Sequence, residues 1–526
     1  MRKKNIVLFM SLSAMMIAGC TGEVDSYEQV KQNLLQQGLS NGEVNEADLD
    51  NWDSPKTQQS GVVVDENENL VRIDVPLSAK STYNVVTQEA IAVYPTGVAR
   101  RDLAPEDRCP AVDCTPTDAQ LIQAAVDDLG TRGVSGIIVL KAVNLAGTPM
   151  AFNFGNGFNG PNNENVCIYD TQTSGYCRHV QTVGQSGDLE LRGETLATGE
   201  QSTVDGGYFA FHFGRNASLT VKNLVFTGFI YSAVTVAKTT GLEIKNNKFY
   251  PFYSSQITGI IGVGNWGFGG MATTGHAVIK DNYIDGSYGH PANAFEATAI
   301  YTINHNMTGE IKNNTVLNTG YGPRVQYYRK NWEIKNNVVM GVYVGVFVGC
   351  DVTDLGTSQL SVQENNISTL DTGMIIIAQQ GKNNGAQCPV VNSSFNNNKI
   401  TLAGPNITPA FLLGGINFDP NDPGVVAHNE FKENTILGSS DYVFMLGYKE
   451  LYGWFGYEVY ENVYDNTIEN NNLSDFVLLP TPLWYGWPIS EAHVFFNSTA
   501  HNNAYIGKVG EVVIDNGTNN TVVLLP

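Results

Sequence analysis

The arginines of the carboxy-terminal half are confined to one short segment. After Arg215 the chain contains two arginines, Arg324 and Arg329. Both lie in the segment 320–332 (GYGPRVQYYRKNW), where Lys330 follows Arg329. A guanidinium offers a fork of donors that matches a carboxylate, and a basic group can abstract a proton if the developing charge is stabilised. The simpler alternative is a surface loop whose arginines form ion pairs with acidic neighbours.

Aromatic and ionisable side chains accompany these cations. Aromatic rings offer flat apolar faces on which a sugar ring can pack. The candidate substrate-binding residues are Tyr321, Tyr327, Tyr328 and Trp332, together with His290 and Glu296 from the nearby segment 286–296. These two segments could share one lateral face if successive parts of the fold stack, and a polysaccharide is the partner that this set of residues fits.

The element that would position them is a six-residue phrase with eight non-overlapping copies, each reading apolar, any, Asn/Asp/Glu, Asn, any, apolar. Its constant residues are Asn247, Asn282, Asn314, Asn337, Asn365, Asn398, Asn434 and Asn466. A degenerate ninth copy, 221–226, has Leu224 at this place. The apolar ends favour strands and asparagine tolerates a left-handed backbone, so each copy predicts a strand, a tight turn and another strand.

The constant asparagines are 23 to 36 residues apart, which indicates stacked supersecondary units. Stacking would place their amides over one another in a hydrogen-bonded ladder. A leucine-rich repeat would need an L-x-x-L-x-L frame, and a propeller would need a longer and steadier period, so neither fits.

This pattern resembles the right-handed parallel β-helix of the pectin-lyase-like superfamily, over roughly residues 117–526. The predicted fold class is therefore an all-β solenoid. The resemblance implies lyase chemistry on a uronate-containing polymer, with Arg324 or Arg329 as the base or carboxylate ligand and Lys330 as its partner. It also implies that a cation such as calcium could neutralise the carboxylate.

The family's catalytic signatures are missing, however. The W-I-D-H segment of pectate lyases is absent, and Gln326 replaces the proline of their R-x-P-x-x-R segment. The activity stays open between such a lyase and a non-catalytic surface adhesion, glycan-binding or structural protein. Residues 419–422 (DPND) could ligate calcium, although a Pro/Asn turn is the simpler interpretation.

The amino terminus has the pattern of an export signal. Three basic residues precede an apolar run, 6–18, that is too short to span a membrane. The sequence Ile17-Ala18-Gly19-Cys20 resembles the lipobox of bacterial lipoproteins, which implies lipidation of Cys20 after removal of residues 1–19. The resemblance therefore implies a lipid-anchored protein of the cell envelope that contacts the membrane through this anchor alone. Thr21 follows the cysteine in place of the aspartate associated with inner-membrane retention, so we expect the outer membrane of a Gram-negative bacterium.

The composition past the signal predicts the domain order. We expect residues 20–61 to form an acidic, flexible tether and 62–116 to contain strands and loops, and the family resemblance implies that 117–526 form the β-helix. A helix over 117–129 is predicted, because Thr117 and Gln120 form a capping box and Gly130 follows the apolar face. The family resemblance implies that this helix covers one end of the core.

Cysteines and charge limit the environment and the partners. Six cysteines remain after Cys20, and export favours disulfides; sequence proximity suggests Cys109–Cys114, Cys167–Cys177 and Cys350–Cys388 among 15 connectivities. The sequence offers no CxxC pair for zinc. The net charge of −21 disfavours nucleic acid, and disfavours an acidic polysaccharide unless cations or a basic patch intervene.

Overall fold

The computed structural model describes residues 61–65, 70–73, 89–99, 117–155, 178–182, 187–207, 209–251, 259–264, 275–288, 297–303, 307–326, 329–350, 357–379, 389–403, 409–416, 424–447, 451–452, 457–458, 462–479 and 491–526. They belong to two compact units. The amino-terminal unit ends at Ala297, and the carboxy-terminal unit runs from Thr298 to Pro526.

The carboxy-terminal unit is built from successive turns of chain, called coils here. Equivalent strands of successive coils pair with one another and form four stacks, which are numbered in the order in which the chain enters them within one coil. Stack 1 consists of Thr298–Ile303, Tyr321–Gln326, Val346–Cys350, Met374–Gln379, Phe411–Ile416, Tyr442–Leu446, Ala492–Phe496 and Val513–Asp515. Stack 2 consists of Arg329–Lys330, Thr357–Ser358, Val390–Val391, Val425–Ala427, Asn462–Tyr464 and Ala500–His501. Stack 3 consists of Met307–Lys312, Trp332–Lys335, Ser361–Gln363, Ser394–Asn396, Glu430–Lys432, Thr467–Glu469, Ala504–Lys508 and Thr521–Leu525. Stack 4 consists of Thr315–Leu317, Val338–Val342, Asn366–Thr369, Lys399–Leu402, Thr435–Ser440 and Phe476–Leu478.

Within each stack, consecutive strands pair in parallel, one coil to the next. A parallel strand that returns after a full coil is the defining connection of a β-helix, and such crossovers are right-handed. The predicted parallel β-helix is therefore confirmed. One short antiparallel pair, Leu451–Tyr452 with Tyr457–Glu458, is attached to this unit.

The interior of the carboxy-terminal unit is a column of apolar side chains that repeat from coil to coil. Phe411 and Phe444 are stacked with ring centroids 4.6 Å apart, and Phe395 and Phe431 lie 4.9 Å apart. All four are completely buried. Each such side chain contributes about 1.5–3 kcal/mol relative to exposure, so in-register stacking is strongly favoured.

Asparagine ladders run along two corners of the carboxy-terminal unit. At the corner between stacks 3 and 4, the side-chain Nδ2 of each ladder asparagine donates to Oδ1 of the next. The members of this ladder are Asn314, Asn337, Asn365, Asn398, Asn434 and Asn471. The corner between stacks 2 and 3 carries Ser393, Asn429, Asn466, Asn503 and Asn520.

The prediction of a single ladder is therefore wrong at its last member. Asn466 lies at the corner between stacks 2 and 3, whereas the partner of Asn434 is Asn471, whose Oδ1 accepts from Asn434 Nδ2 at 2.9 Å. The phrase around Asn466 has the same residue types because both corners need the same sharp turn.

The left-handed turn residue is the one before the ladder asparagine. Asn336, Glu364 and Asn397 have φ between 55° and 57°, and the same conformation recurs at His428 and Asp465 at the other corner. The side chains of the ladder thereby point inward and satisfy backbone groups, as when Asn398 Nδ2 donates to Val362 O at 2.9 Å.

The amino-terminal unit has the same coil plan, with some strands that bend through two stacks. Its strands are Gly61–Asp65, Leu70–Ile73, Glu89–Val93, Gly136–Leu140, Phe152–Gly155, Arg178–Thr182, Leu189–Gly193, Thr203–Gly206, Phe209–Lys222, Val225–Thr227, Ser232–Lys245, Lys248–Tyr250, Ile261–Val263, Gly275–Lys280 and Tyr283–Asp285, and a 3₁₀ turn follows at Gly286–Tyr288. Gly61–Asp65 pairs antiparallel with two neighbours, and the later strands pair in parallel.

The amino-terminal unit also contains one described α-helix, Asp118–Arg132, with the predicted capping box at Thr117 and Gln120. It ends three residues later than predicted, since Gly133 supplies the left-handed residue (φ 64°) and donates to Gly130 O. That the helix covers an end of the core stays a prediction. Among the described residues, no helix has the length and apolar character needed to cross a membrane.

Candidate functional site

Arg324 lies in an enclosed aromatic environment on stack 1. Its guanidinium carbon is 4.7 Å from the ring centroid of Tyr301, 4.8 Å from that of Phe347 and 5.3 Å from that of Tyr321. The guanidinium Nε donates to Gln326 Oε1 at 2.8 Å, and Tyr301 Oη donates to the same oxygen at 2.9 Å. Arg324 is only 4% exposed. These contacts fix the cation among rings and favour a positioning role.

Two aromatic residues predicted to face a sugar are buried instead. Trp332 is 1% exposed, and its indole Nε1 donates to Met307 O at 2.6 Å. The ring also covers Gly309, where a Cβ would lie 2.6 Å from it. Tyr321 is 3% exposed and forms one wall around Arg324. A ring without an accessible face cannot stack on a polymer, so these two predictions are corrected.

The other predicted residues are only partly described. Arg329 and Lys330 form the first strand of stack 2 and pair with Thr357 and Ser358, and the Lys330 side chain is exposed. The remaining predicted site residues, Tyr327, Tyr328, His290 and Glu296, lie outside the described residues. The structure thus brings Arg324 and Tyr321 together and places Lys330 on a different stack.

Strands of stack 2 align one row of residues, of which Lys330 is the first member and Ala427 is the one buried member. Strand register aligns Lys330, Ser358, Val391, Ala427, Tyr464 and His501 in this row. Ala427 is buried, and the other five are partly or fully exposed. Strands are about 4.8 Å apart, so five steps place Lys330 and His501 about 24 Å apart along the face.

The far end of this row carries a group of stacked rings. The rings of Tyr464 and His501 are nearly parallel, with centroids 4.9 Å apart and an angle of 9°. His428 meets the Tyr464 ring edge-on at 5.7 Å. The side chain of His428 is 51% exposed, and its Nδ1 lies 3.8 Å from Asp465 Oδ2. Flat rings at a solvent boundary can support an apolar face of a ligand.

A recess adjoins these rings. Its volume is about 430 Å³, and it is lined by Asn462, Ser498, Thr499, His501, Asn502, Thr518 and Asn519. Most ligand pockets are mainly apolar, whereas this one is dominated by amides and hydroxyls that can both donate and accept. The ligand that such a lining fits is rich in hydroxyl groups.

The recess lining holds a single ionisable side chain, His501. Hydrolysis of a glycosidic bond generally uses two carboxyl groups across the scissile bond, and the lining contains none. Within the described part of the chain, no group of three His, Cys, Asp or Glu side chains could hold a metal ion. The groups that the lining supplies are therefore hydrogen-bond donors and acceptors.

Sequence reasoning did not find this recess, although one signal was present. The row consists of residues from six coils, and the recess adds side chains from the turns that follow them, so the set appears only after strand register is known. The phrase 500–505 (AHNNAY) fits the repeat if alanine and tyrosine count as apolar. It would have placed His501 and Asn502 at a corner.

The predicted disulfides and calcium ligands fall almost entirely outside the described residues. Cys350 ends the strand Val346–Cys350, whereas Cys109, Cys114, Cys167, Cys177 and Cys388 lie outside, as do Cys20, the predicted lipidation site, and residues 419–422. The pairing and the lipidation stay predictions.

Comparison with known proteins identifies similar folds only. No protein-family model matches the chain, and a search of curated proteins gives no significant match. The fold is similar to a tailspike protein of E. coli bacteriophage HK620 in complex with pentasaccharide, at 11% identity and a TM-score of 0.46, covering 76% of this chain and 65% of that chain. It is also similar to the A-module of a mannuronan C-5 epimerase from Azotobacter vinelandii, at 13% identity and a TM-score of 0.32, covering 78% of this chain and 94% of that chain.

The chain thus spans about 65% of the length of that tailspike chain. Identities and TM-scores this low transfer no residue roles. The β-helix rests on the strand pairing described above.

Proposed function

We propose that the protein binds a polysaccharide along the outer face of stack 2 in the carboxy-terminal unit. The observation that carries this proposal is the recess of amides and hydroxyls beside the stacked rings of Tyr464 and His501. Sugars present both hydroxyl groups and flat patches of C–H bonds, so they need both kinds of contact at one place.

The shape of the face favours a polymer over a single sugar. The row position repeats in six coils and spans about 24 Å from the recess to Lys330, with exposed members on both sides of the buried Ala427. A net hydrogen bond contributes about 0.5–1.5 kcal/mol, so a monosaccharide gains little and several sugar units in one row gain measurable affinity.

A lyase acting on a uronate-containing polymer is the finer alternative. Lys330 is exposed at the other end of the same row, and Arg329 precedes it in the strand. Arg324 is held by Gln326 and three rings, so in this alternative it would position the strand rather than act as the base. Incubation with alginate, pectate or a glycosaminoglycan, with and without calcium, tests it: a lyase produces ultraviolet absorbance from a new double bond.

We also propose that the β-helix is displayed from the cell envelope through lipidated Cys20 and the tether 20–61. This extends the sequence resemblance and agrees with a binding face that needs access to an extended polymer. Fractionation of cells that express the full chain tests the location.

Retention of the purified chain in gels containing dissolved polysaccharides tests the main proposal. We expect slower migration with at least one polymer, and weaker retention after Tyr464→Ala. If no polymer from a broad set of neutral and acidic polysaccharides retains the protein, polysaccharide binding is contradicted.

A further inference from the structure

We infer that the polysaccharide bound on stack 2 is neutral, an inference that rests on the proposed function. The first support is the chemistry of the recess. Its seven lining residues include no lysine and no arginine. A carboxylate, sulfate or phosphate group that leaves water needs charge-assisted donors of that kind. A neutral hydroxyl is satisfied by amides and hydroxyls alone.

The second support is the match between donors and acceptors. Asparagine, serine and threonine side chains each donate and accept, as sugar hydroxyls do. Asn462, Asn502 and Asn519 supply amides to the recess, and Ser498 and Thr518 supply hydroxyls. A carboxylate only accepts hydrogen bonds, so the amide and hydroxyl oxygens of the lining would receive no donor from it.

The third support is the sign of the surrounding charge. Asp465 directly follows Tyr464 and occupies the left-handed corner position between those of His428 and Asn502. Its side chain is 41% exposed. Asp515 also lies near this end of the coil stack, where its Oδ1 accepts from Asn520 Nδ2 at 2.9 Å. Both carboxylates repel an anion, and the chain's net charge of −21 adds no long-range attraction for one.

The exposed cation of the row is too distant to change this balance. Lys330 is about 24 Å from His501 along the face, whereas the Debye length is about 8 Å at physiological ionic strength. Interactions over three such lengths are largely screened. Asp465 and Asp515 would therefore repel an anionic sugar at the recess, and the attraction from Lys330 would be too weak to offset this repulsion.

The test compares one neutral polymer with its own charged derivative. The full chain is run in gels that contain neutral glucans, mannans or galactans, and then in gels with the carboxymethyl derivative of whichever polymer retains it. We expect at least about tenfold stronger retention by the neutral form, equivalent to about 1.4 kcal/mol. Retention should change less than about twofold between low ionic strength and about 1 M, where the Debye length is only about 3 Å.

Two variants and one control variant locate the effect. Asp465→Lys should strengthen retention by the carboxymethyl polymer about fivefold at low ionic strength and leave the neutral polymer within about twofold. Tyr464→Ala should weaken retention by the neutral polymer, whereas Tyr283→Ala, which removes a partly exposed ring of the amino-terminal unit, should not.

The outcomes separate the two claims. If no polymer retains the protein, the proposed function fails. If acidic polymers retain it in a salt-sensitive manner and neutral ones do not, polysaccharide binding stands and the inference of a neutral ligand is overturned. If a neutral polymer binds but Tyr464→Ala changes nothing, the assignment to stack 2 is overturned.

Discussion

The ring of Tyr464 lies over the imidazole of His501, with centroids 4.9 Å apart and planes 9° from parallel. The two residues are register partners in stack 2, so the backbone pairing fixes this relationship. Both side chains point outward beside the recess while their neighbours Val463 and Ala500 are buried in the core. The strand register of stack 2 thus places the two rings, Tyr464 and His501, face to face beside the recess.

The asparagine ladder should be a major source of stability. Asn398 donates to Val362 O and to Asn434 Oδ1, and its own Oδ1 accepts from Asn365 Nδ2, all inside the protein. We expect Asn398→Ala to lower the free energy of unfolding by about 3 kcal/mol or more, because several buried groups lose their partners. Denaturant unfolding measures this change.

The neighbouring turn residue provides a matched control. Asn397 has φ of 57° and an outward side chain, and glycine adopts this conformation readily. Asn397→Gly should therefore change stability by less than about 1 kcal/mol. Equal losses from both substitutions would contradict the role assigned to the ladder.

Arg324 should affect folding more than glycan binding. We expect Arg324→Ala to destabilise the chain by about 2–4 kcal/mol, because it removes a buried cation from three rings and leaves a void among them. Arg324→Met should cost less, since its apolar stem still fills the space.

Lys330→Ala is the comparison for this residue, because its side chain is exposed. It should leave thermal stability unchanged. Polysaccharide retention by Arg324→Met, measured well below its melting temperature, should stay within about twofold of the parent. A selective loss of binding or of lyase activity in a stably folded Arg324→Met would favour the direct role predicted from sequence.

Asp441 makes stability depend on pH. Burial raises its pKa to about 6, although Ser440 Oγ donates to its Oδ1 at 3.1 Å. A folded-state pKa above the unfolded value of 3.8 means that the folded chain binds the extra proton. The free energy of unfolding should therefore fall as pH rises from about 4 to about 6 and then level off.

Asp441→Asn should remove this loss and stabilise the chain at neutral pH by up to about 3 kcal/mol, since each pKa unit corresponds to about 1.4 kcal/mol. Melting curves between pH 4 and pH 7 measure the difference. Asp475→Asn, at an exposed position, is the control and should not alter the profile. An unchanged pH profile in Asp441→Asn would exclude Asp441 as its source.

Lipidation at Cys20 is tested separately from the fold. In bacteria given a labelled fatty acid, the full chain should incorporate label and enter the membrane fraction, whereas Cys20→Ala should do neither. Cys109→Ala should remain labelled. Membrane association of an unlabelled Cys20→Ala chain would contradict the anchor.

The fold was predictable because each coil must turn at similar corners, and asparagine is suited to those turns. Seven of the eight phrases lie at corners between equivalent stacks, in one unit or the other. Asn466 was placed on the wrong ladder because both corners impose the same residue types. The phrase 468–473 (IENNNL) fits the same pattern and contains Asn471, the true partner of Asn434. The predicted interval from Asn434 to Asn466 therefore stops before the strand Thr467–Glu469, which the full coil includes.

The candidate site could not be predicted in the same way. Arg324 and Trp332 attract attention by their rarity, but their orientation depends on which side of a strand or corner they occupy. Tyr464, His501 and Asn519 lie far apart in sequence and meet only through register. Residue types suggest a sugar ligand, which stays a proposal. Of the predicted residues that the structure describes, Arg324 and Tyr321 lie on stack 1, Arg329 and Lys330 on stack 2 and Trp332 on stack 3, and none of them lines the recess.

The most direct measurement of the central claim is retention of the parent chain, Tyr464→Ala and Tyr283→Ala by the same neutral polysaccharide. We expect Tyr464→Ala to lose about tenfold in apparent affinity, or about 1.4 kcal/mol, with an unchanged melting temperature. Tyr283→Ala should match the parent chain. Equal retention of all three proteins, or equal loss in both variants, would contradict a polysaccharide site on stack 2.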